Sequence, residues 1–151
     1  MARDKSEKHF KVLFLDVGLV VRAQQLPRDI FFQKEITFQN KGALVEQFVG
    51  QELLAIQENN EPAKLNFWQR DKRGSQAEVD YVIAMKGDIF PIEVKSGHSH
   101  WLKSLKILMG ERKLSVGVRV SEQPLNFSDS ILSVPLYMIH ELPRLLTSIK
   151  A

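Results

Sequence analysis

The chain has 151 residues, a formal net charge of +3 and no cysteine. That length suits one domain, which removes roughly 70% of its unfolded surface from water without a covalent staple, and the missing thiols exclude disulfides and thiolate metal sites, in keeping with a reducing cytoplasm. A sequence pI near 9.2 permits contact with nucleic acid without demanding it, and the absence of the pattern GxxxxGK[ST] excludes ATP hydrolysis by that route.

The start, "MARDKSEKHF", is too densely charged for a secretory leader. The apolar run "VLFLDVGLVV" is broken by Asp16 and falls far short of the roughly 20 residues of a membrane span, so the expectation is a soluble cytoplasmic protein. "KVLFLDVGLVVRAQ" reads as a short extended segment followed by a helical piece that ends before Pro27. In "NKGALVEQFVGQELLAIQENN", Leu44, Val45, Phe48, Val49, Leu53 and Ile56 recur at helical spacing. Asn40 is the expected cap of that helix and Asn59-Asn60 its stop.

Strands follow. "KLNFWQR" reads as one, ended by the polar turn "DKRGSQ"; a second runs from Glu78 to Ala84, turns at Gly87-Asp88, and leads into a third from Ile89 to Lys95. Trp101, Leu102, Leu105, Leu108 and Met109 predict a helix with Lys103 and Lys106 toward solvent. "LSVGVRVS" alternates as a strand, "ILSVPLYM" offers a last short one, and "HELPRLLTSI" closes the chain as a helix. The predicted class is α/β, with a central mixed sheet of about four strands flanked by helices.

Charges interrupt the hairpin "EVDYVIAMKGDIFPIEVKSG", which is apolar on both faces and therefore expected to be covered on both. A two-residue turn at Gly87-Asp88 sets Asp80 opposite Lys95 and Val82 opposite Glu93, leaving Asp80 and Glu93 as diagonal neighbours about 7 Å apart or less. A slip of one residue would send them to opposite faces. Two carboxylates held this close repel, and burial adds to the cost, so a positive partner is needed. Hard oxygen ligands suit Mg²⁺ or Mn²⁺. A water polarised by such an ion attacks phosphorus, with Lys95 orienting the nucleophile or offsetting negative charge. A plainer reading stands beside this one, in which Asp80 and Lys95 form an ordinary cross-strand ion pair of about 0.2 to 1 kcal/mol and Glu93 sits at a solvated strand end.

The order helix, strand, "EVD" strand, "IEVK" strand, helix, strand resembles the PD-(D/E)xK restriction-endonuclease-like superfamily, with Asp80 as the lone acid and Glu93-Val94-Lys95 as the ExK element. More closely, "FLDVGLV", "KGALVEQFVGQELLA", "AEVDYVI" and "PIEVKSG" are similar to the domain of unknown function that follows the ATPase module in a family of prokaryotic AAA+ proteins. The resemblance implies a restriction-endonuclease-like core (αβββαβ) and a metal-dependent nuclease-like domain that hydrolyses or binds DNA phosphodiesters with Mg²⁺ or Mn²⁺. It implies a catalytic set of Glu46, Asp80, Glu93 and Lys95, with Asp80, Glu93 and Glu46 on the metal. Glu46 matches the helical glutamate of similar nucleases; Glu52 lies nearer the middle of the apolar stripe and stands as its rival, and Glu78 is a further candidate ligand. It also implies a nuclease-like domain at 39–151 and a segment at 1–38 that once joined it to an ATPase module on a longer or separate chain. The alternative is a catalytically inactive nucleic-acid-binding or partner-docking module of the same fold.

Arg70, Lys72 and Arg73 before the acidic strand, and Lys103 and Lys106 after it, are candidate contacts to a phosphate backbone, with solvated charge as the other reading. His98-x-His100 reads as a polar loop, and Trp68 and Trp101 as core residues. No nucleophile motif supports a Ser/His/Asp site.

Overall fold

The computed structural model of the chain describes residues 10–27, 38–57, 64–72, 75–96 and 101–150. Its elements are α1 (Val17–Ala23), α2 (Phe38–Ala55), β1 (Asn66–Lys72), β2 (Ser75–Met85), β3 (Asp88–Val94), α3 (Lys103–Arg112), β4 (Gly117–Ser121), β5 (Asn126–Ser128), β6 (Ile131–Pro135), a 3₁₀ turn (Leu136–Glu141) and α4 (Leu142–Lys150). The strands form one mixed sheet in the order β1-β2-β3-β4-β6-β5. β1, β2 and β3 are antiparallel neighbours. β4 returns parallel to β3 after α3, and β6 lies parallel to β4.

The class is therefore α/β as expected, but the sheet has six strands where about four were predicted. The extra width comes from the C-terminal stretch. Every residue of β6 is buried, as suits a strand covered on both faces. β5 is a three-residue exposed edge that turns into β6 through Asp129 and Ser130, both at positive φ. So short and polar a segment carries no apolar alternation by which a sequence reading would find it.

Helices cover both faces. Val49 and Leu53 of α2, with Ile139, Leu142 and Leu146 of the C-terminal turn and helix, pack on Tyr81, Ile92, Val118, Val120 and Val134. On the other face Leu105 and Leu108 of α3 meet Val79 and Ile131, with half-buried Trp68 and Val82 against them. α1 lies on α2 through Val20, Val21 and Leu44. α2 starts at Phe38, so Asn40 lies inside the helix, and the Asn59-Asn60 stop falls outside the described residues. Trp101 precedes α3 and is 82% exposed, which corrects its assignment to the core.

The hairpin turns one position earlier than expected. Met85 pairs with Asp88, leaving Lys86 and Gly87 as the two loop residues, both at positive φ, the geometry whose twist suits a tight hairpin. Tyr81 pairs with Ile92 and Val82 with Pro91, so Asp80 is not paired with Lys95 and Val82 does not face Glu93. Because the loop still holds two residues, the parity of the two strands is kept, and Asp80 comes level with Glu93 just past the last ladder pair.

Candidate functional site

A bulge in β2 shapes the site. Asn66 pairs with Val82 but Trp68 pairs with Val79, so Asp80 and Tyr81 together oppose Phe67 alone. Val79 consequently packs under α3 while Tyr81, two residues on, packs under α2. Asp80 lies at this switch, where β2 and β3 part, and its Oδ2 accepts the Val94 N–H at 2.8 Å. The Tyr81 hydroxyl donates to the Glu46 carbonyl at 2.8 Å, which fixes α2 over the same place.

An extended strap, residues 10–16, crosses this ground. Gln47 of α2 grips it with both ends of its amide: Oε1 accepts the Phe14 N–H at 3.2 Å and Nε2 donates to the Phe14 carbonyl at 3.1 Å, joined there by Gln51 Nε2 at 2.9 Å. The grip delivers Lys11 into the acids. Its Nζ lies 2.7 Å from Glu46 Oε1, 2.9 Å from Glu78 Oε1 and 3.6 Å from Asp80 Oδ1, over the rings of Phe67 and Tyr81. Next to this cluster Glu93 Oε1 accepts from Lys95 Nζ at 2.6 Å. Glu93 is 6% exposed, and its Oε2 is buried without a hydrogen-bond partner.

The electrostatics follow from crowding these acids together at a site partly withdrawn from water. Burial, then the charges of Glu46 and Glu93, push the Asp80 carboxyl up to about 7, against the opposing pull of the Val94 N–H and Lys11. Burial also raises Glu93, although Lys95 and Lys11 oppose it. Tyr81 is held above the usual phenol range by burial and by the charges of Glu46 and Asp80. For Lys11, burial acts to lower the pKa, but hydrogen bonds to Glu46 and Glu78 and the charges of Glu46 and Asp80 outweigh it, and the net direction is up.

Of the expected residues, Glu46, Asp80, Glu93 and Lys95 are thus brought to one end of the sheet, with Glu78 beside them. Glu52 takes no part in the Lys11 cluster, so Glu46 is the helical acid that faces Asp80. Lys95 meets Glu93 rather than Asp80. Arg70 is 3.2 Å from Glu111 on α3, an ion pair that ties β1 to the helix. Lys103 and Lys106 are exposed on α3; the side chain of Lys72 and the whole of Arg73, like His98 and His100, lie outside the described residues. Among the described residues no three acidic or histidine side chains are gathered closely enough to hold a metal ion as they stand. The donor chemistry nevertheless fits a hard cation, since the buried Oε2 of Glu93 is an oxygen still lacking a partner.

Lys11 went unnoticed in the sequence, where it is one charge at the head of an apolar run. Arg119 was missed too: it stands beside Glu93 in the β3–β4 register, and its Nη2 donates to Ser133 Oγ at 2.7 Å.

Fold and site together define a mixed α/β domain with a half-buried acid–lysine cluster where its central hairpin splays open. The chain belongs to the family described as domain of unknown function DUF4143, whose model matches residues 41–139. No curated protein and no solved structure matches it. Among the described residues no helix is long and apolar enough to cross a membrane.

Proposed function

We propose that this chain is a metal-dependent nuclease-like domain of PD-(D/E)xK type, acting on DNA phosphodiesters. The observation that carries the reading is Glu93: a carboxylate 6% exposed, one oxygen on Lys95 and the other without a partner, level with the half-buried Asp80. Burying an acid in this way is costly unless something positive completes it. In this reading Asp80 and Glu93 hold Mg²⁺ or Mn²⁺ and Glu46 assists. When bound, the ion supplies neutralising charge and a polarised water.

The chain's own groups have defined tasks. The Val94 N–H fixes the Asp80 carboxylate. Lys95, 2.6 Å from Glu93, orients the nucleophile and offsets the negative charge that grows on phosphate. Lys103 and Lys106 on the exposed side of α3 contact the backbone of the nucleic acid. The reading includes a nuclease-like domain at 39–151, with 1–38 as a connection to an ATPase module on the same or another chain.

The test is cleavage of supercoiled, linear and branched DNA with Mg²⁺ or Mn²⁺ by wild type, Asp80→Ala and Lys95→Ala. Cleavage by wild type alone is expected. Equal cleavage by all three would refute the assignment. A second reading, a catalytically inactive module of the same fold that binds nucleic acid or a partner, is favoured by the occupation of Glu46 and Glu78 by Lys11. It predicts salt-sensitive DNA binding with no Mg²⁺ or Mn²⁺ uptake by calorimetry.

A further inference from the structure

We propose that Lys11 is a built-in cation of this site, and that the strap carrying it must lift away before a divalent ion can bind. The inference rests on the metal-site reading above and adds its regulation: the acid cluster alternates between an internal ammonium and an external Mg²⁺ or Mn²⁺.

Three observations carry it. First, the Lys11 ammonium, a compact charge with three donors, touches Glu46 and Glu78 and stands 3.6 Å from Asp80, in the midst of the oxygens a hard cation would take. Among the described residues no three acids are gathered into a metal site, and Glu46 and Glu78 each give a carboxylate oxygen to the ammonium. Second, the oxygen it leaves unserved, Glu93 Oε2, is buried and without a partner, so the ammonium completes the cluster only in part.

Third, the strap is lightly attached. Its grip on α2 runs through Phe14, held by Gln47 and Gln51, with the Leu13 side chain set against Gly50. Phe10, Val12 and Leu15 point outward, 79%, 64% and 91% exposed, so they contribute little burial to its docking. A cleft of about 290 Å³ already opens between strap and α2, lined in part by Lys11, Leu13, Phe14, Glu46, Gln47 and Tyr81. A segment with few buried contacts beside the groups that bind is the kind that opens locally at low cost. A divalent ion with direct carboxylate ligands displaces a singly charged ammonium, since two cations cannot share so small a space.

The experiment uses the full chain and two readouts: Mg²⁺ and Mn²⁺ affinity by calorimetry, and hydrogen exchange at the Phe14 amide. Competition predicts that saturating Mg²⁺ raises Phe14 exchange in wild type and leaves it unchanged in Asp80→Asn. Lys11→Met should bind Mn²⁺ about tenfold tighter or more, because the apparent affinity of wild type is reduced by the fraction of molecules whose site is free. Should Lys11→Met fail to fold for want of a partner to its acids, Gln51→Ala removes one clamp, keeps the lysine, and should shift both readouts the same way by less. Tight metal binding by wild type with Phe14 still protected would overturn the strap mechanism while leaving the metal site standing. Absence of metal binding in wild type and in every folded variant would remove the metal site itself, and this inference with it.

Discussion

Asp80 makes the stability of this domain fall as pH rises from about 4 to about 7. Its carboxyl, ordinarily near 3.8, is pushed up to about 7 by burial and by Glu46 and Glu93. Between those two values the folded chain holds a proton that the unfolded chain has released, so each step up in pH favours unfolding. At about 1.36 kcal/mol per tenfold change in proton concentration, the whole interval amounts to a ceiling of about 4 kcal/mol. That is a large share of the roughly 5 to 15 kcal/mol by which a domain is stable. Stability from this group is therefore greatest below pH 4 and lost by about pH 7. Glu93 is raised as well and adds to the same slope. Lys11, also raised, acts in the alkaline range: its contribution is complete below its ordinary 10.5 and is lost above it. Asparagine at position 80 keeps an oxygen for the Val94 N–H but cannot ionise. Urea unfolding in EDTA at half-unit intervals from pH 4.5 to 8 should show wild type losing about 2 to 4 kcal/mol relative to Asp80→Asn across the range. Parallel profiles for the two proteins would refute the reasoning, because all other titrating groups are common to both.

Two structural substitutions probe the same ground. Tyr81→Phe removes the hydrogen bond to the Glu46 carbonyl while keeping the ring beneath Lys11, and should cost about 0.5 to 1.5 kcal/mol in urea unfolding; an unchanged midpoint would mean that this bond does not anchor α2. Gly50→Ala places a methyl 2.6 Å from the Tyr81 hydroxyl and 2.7 Å from Leu13. Overpacking of about 1 to 3 kcal/mol is set against a helix-propensity gain of about 1 kcal/mol, so the net loss should stay below about 2 kcal/mol. The local effect is expected to be larger, with faster exchange at the Phe14 amide as Leu13 is pushed out. A variant with the strap fully protected would contradict the close packing of Leu13 on α2.

How far the sequence foretold this site depends on which contacts are local. The β2–β3 hairpin was legible because alternation and a glycine turn are local signals, and the turn was misplaced by one position because Lys86, like any residue with a Cβ, gives no hint of positive φ. The error did not move the acids to opposite faces, since either turn has two residues. The bulge at Asp80 was not legible. It is defined by pairing with β1, and nothing in "EVDYV" records that two of its residues oppose Phe67 alone. The choice between Glu46 and Glu52 likewise turned on the phase of α2 over the sheet, a tertiary quantity. Trp101 reads as the first member of an apolar helical stripe, yet α3 begins two residues later and leaves it outside. Lys11 was the least visible, because its role depends on a segment more than 30 residues away in sequence.

These distant contacts also account for the energetics. A domain selected for stability alone would gain by replacing Asp80 and Glu93 with apolar residues, since a buried ion pair is often matched or bettered by packed hydrophobic groups. Instead the fold buries Glu93 with an oxygen unserved, raises Asp80 toward neutrality, and brings in an ammonium from outside the sheet to hold the remaining charge. If a divalent ion is the natural complement of these acids, it will bind their ionised forms and reverse the pH slope that Asp80 imposes. Saturating Mg²⁺ should thus stabilise wild type more at pH 8 than at pH 5, by an amount that disappears in Asp80→Asn. An equal effect of Mg²⁺ at both pH values would mean that the cluster is served by Lys11 alone and that its cost is structural.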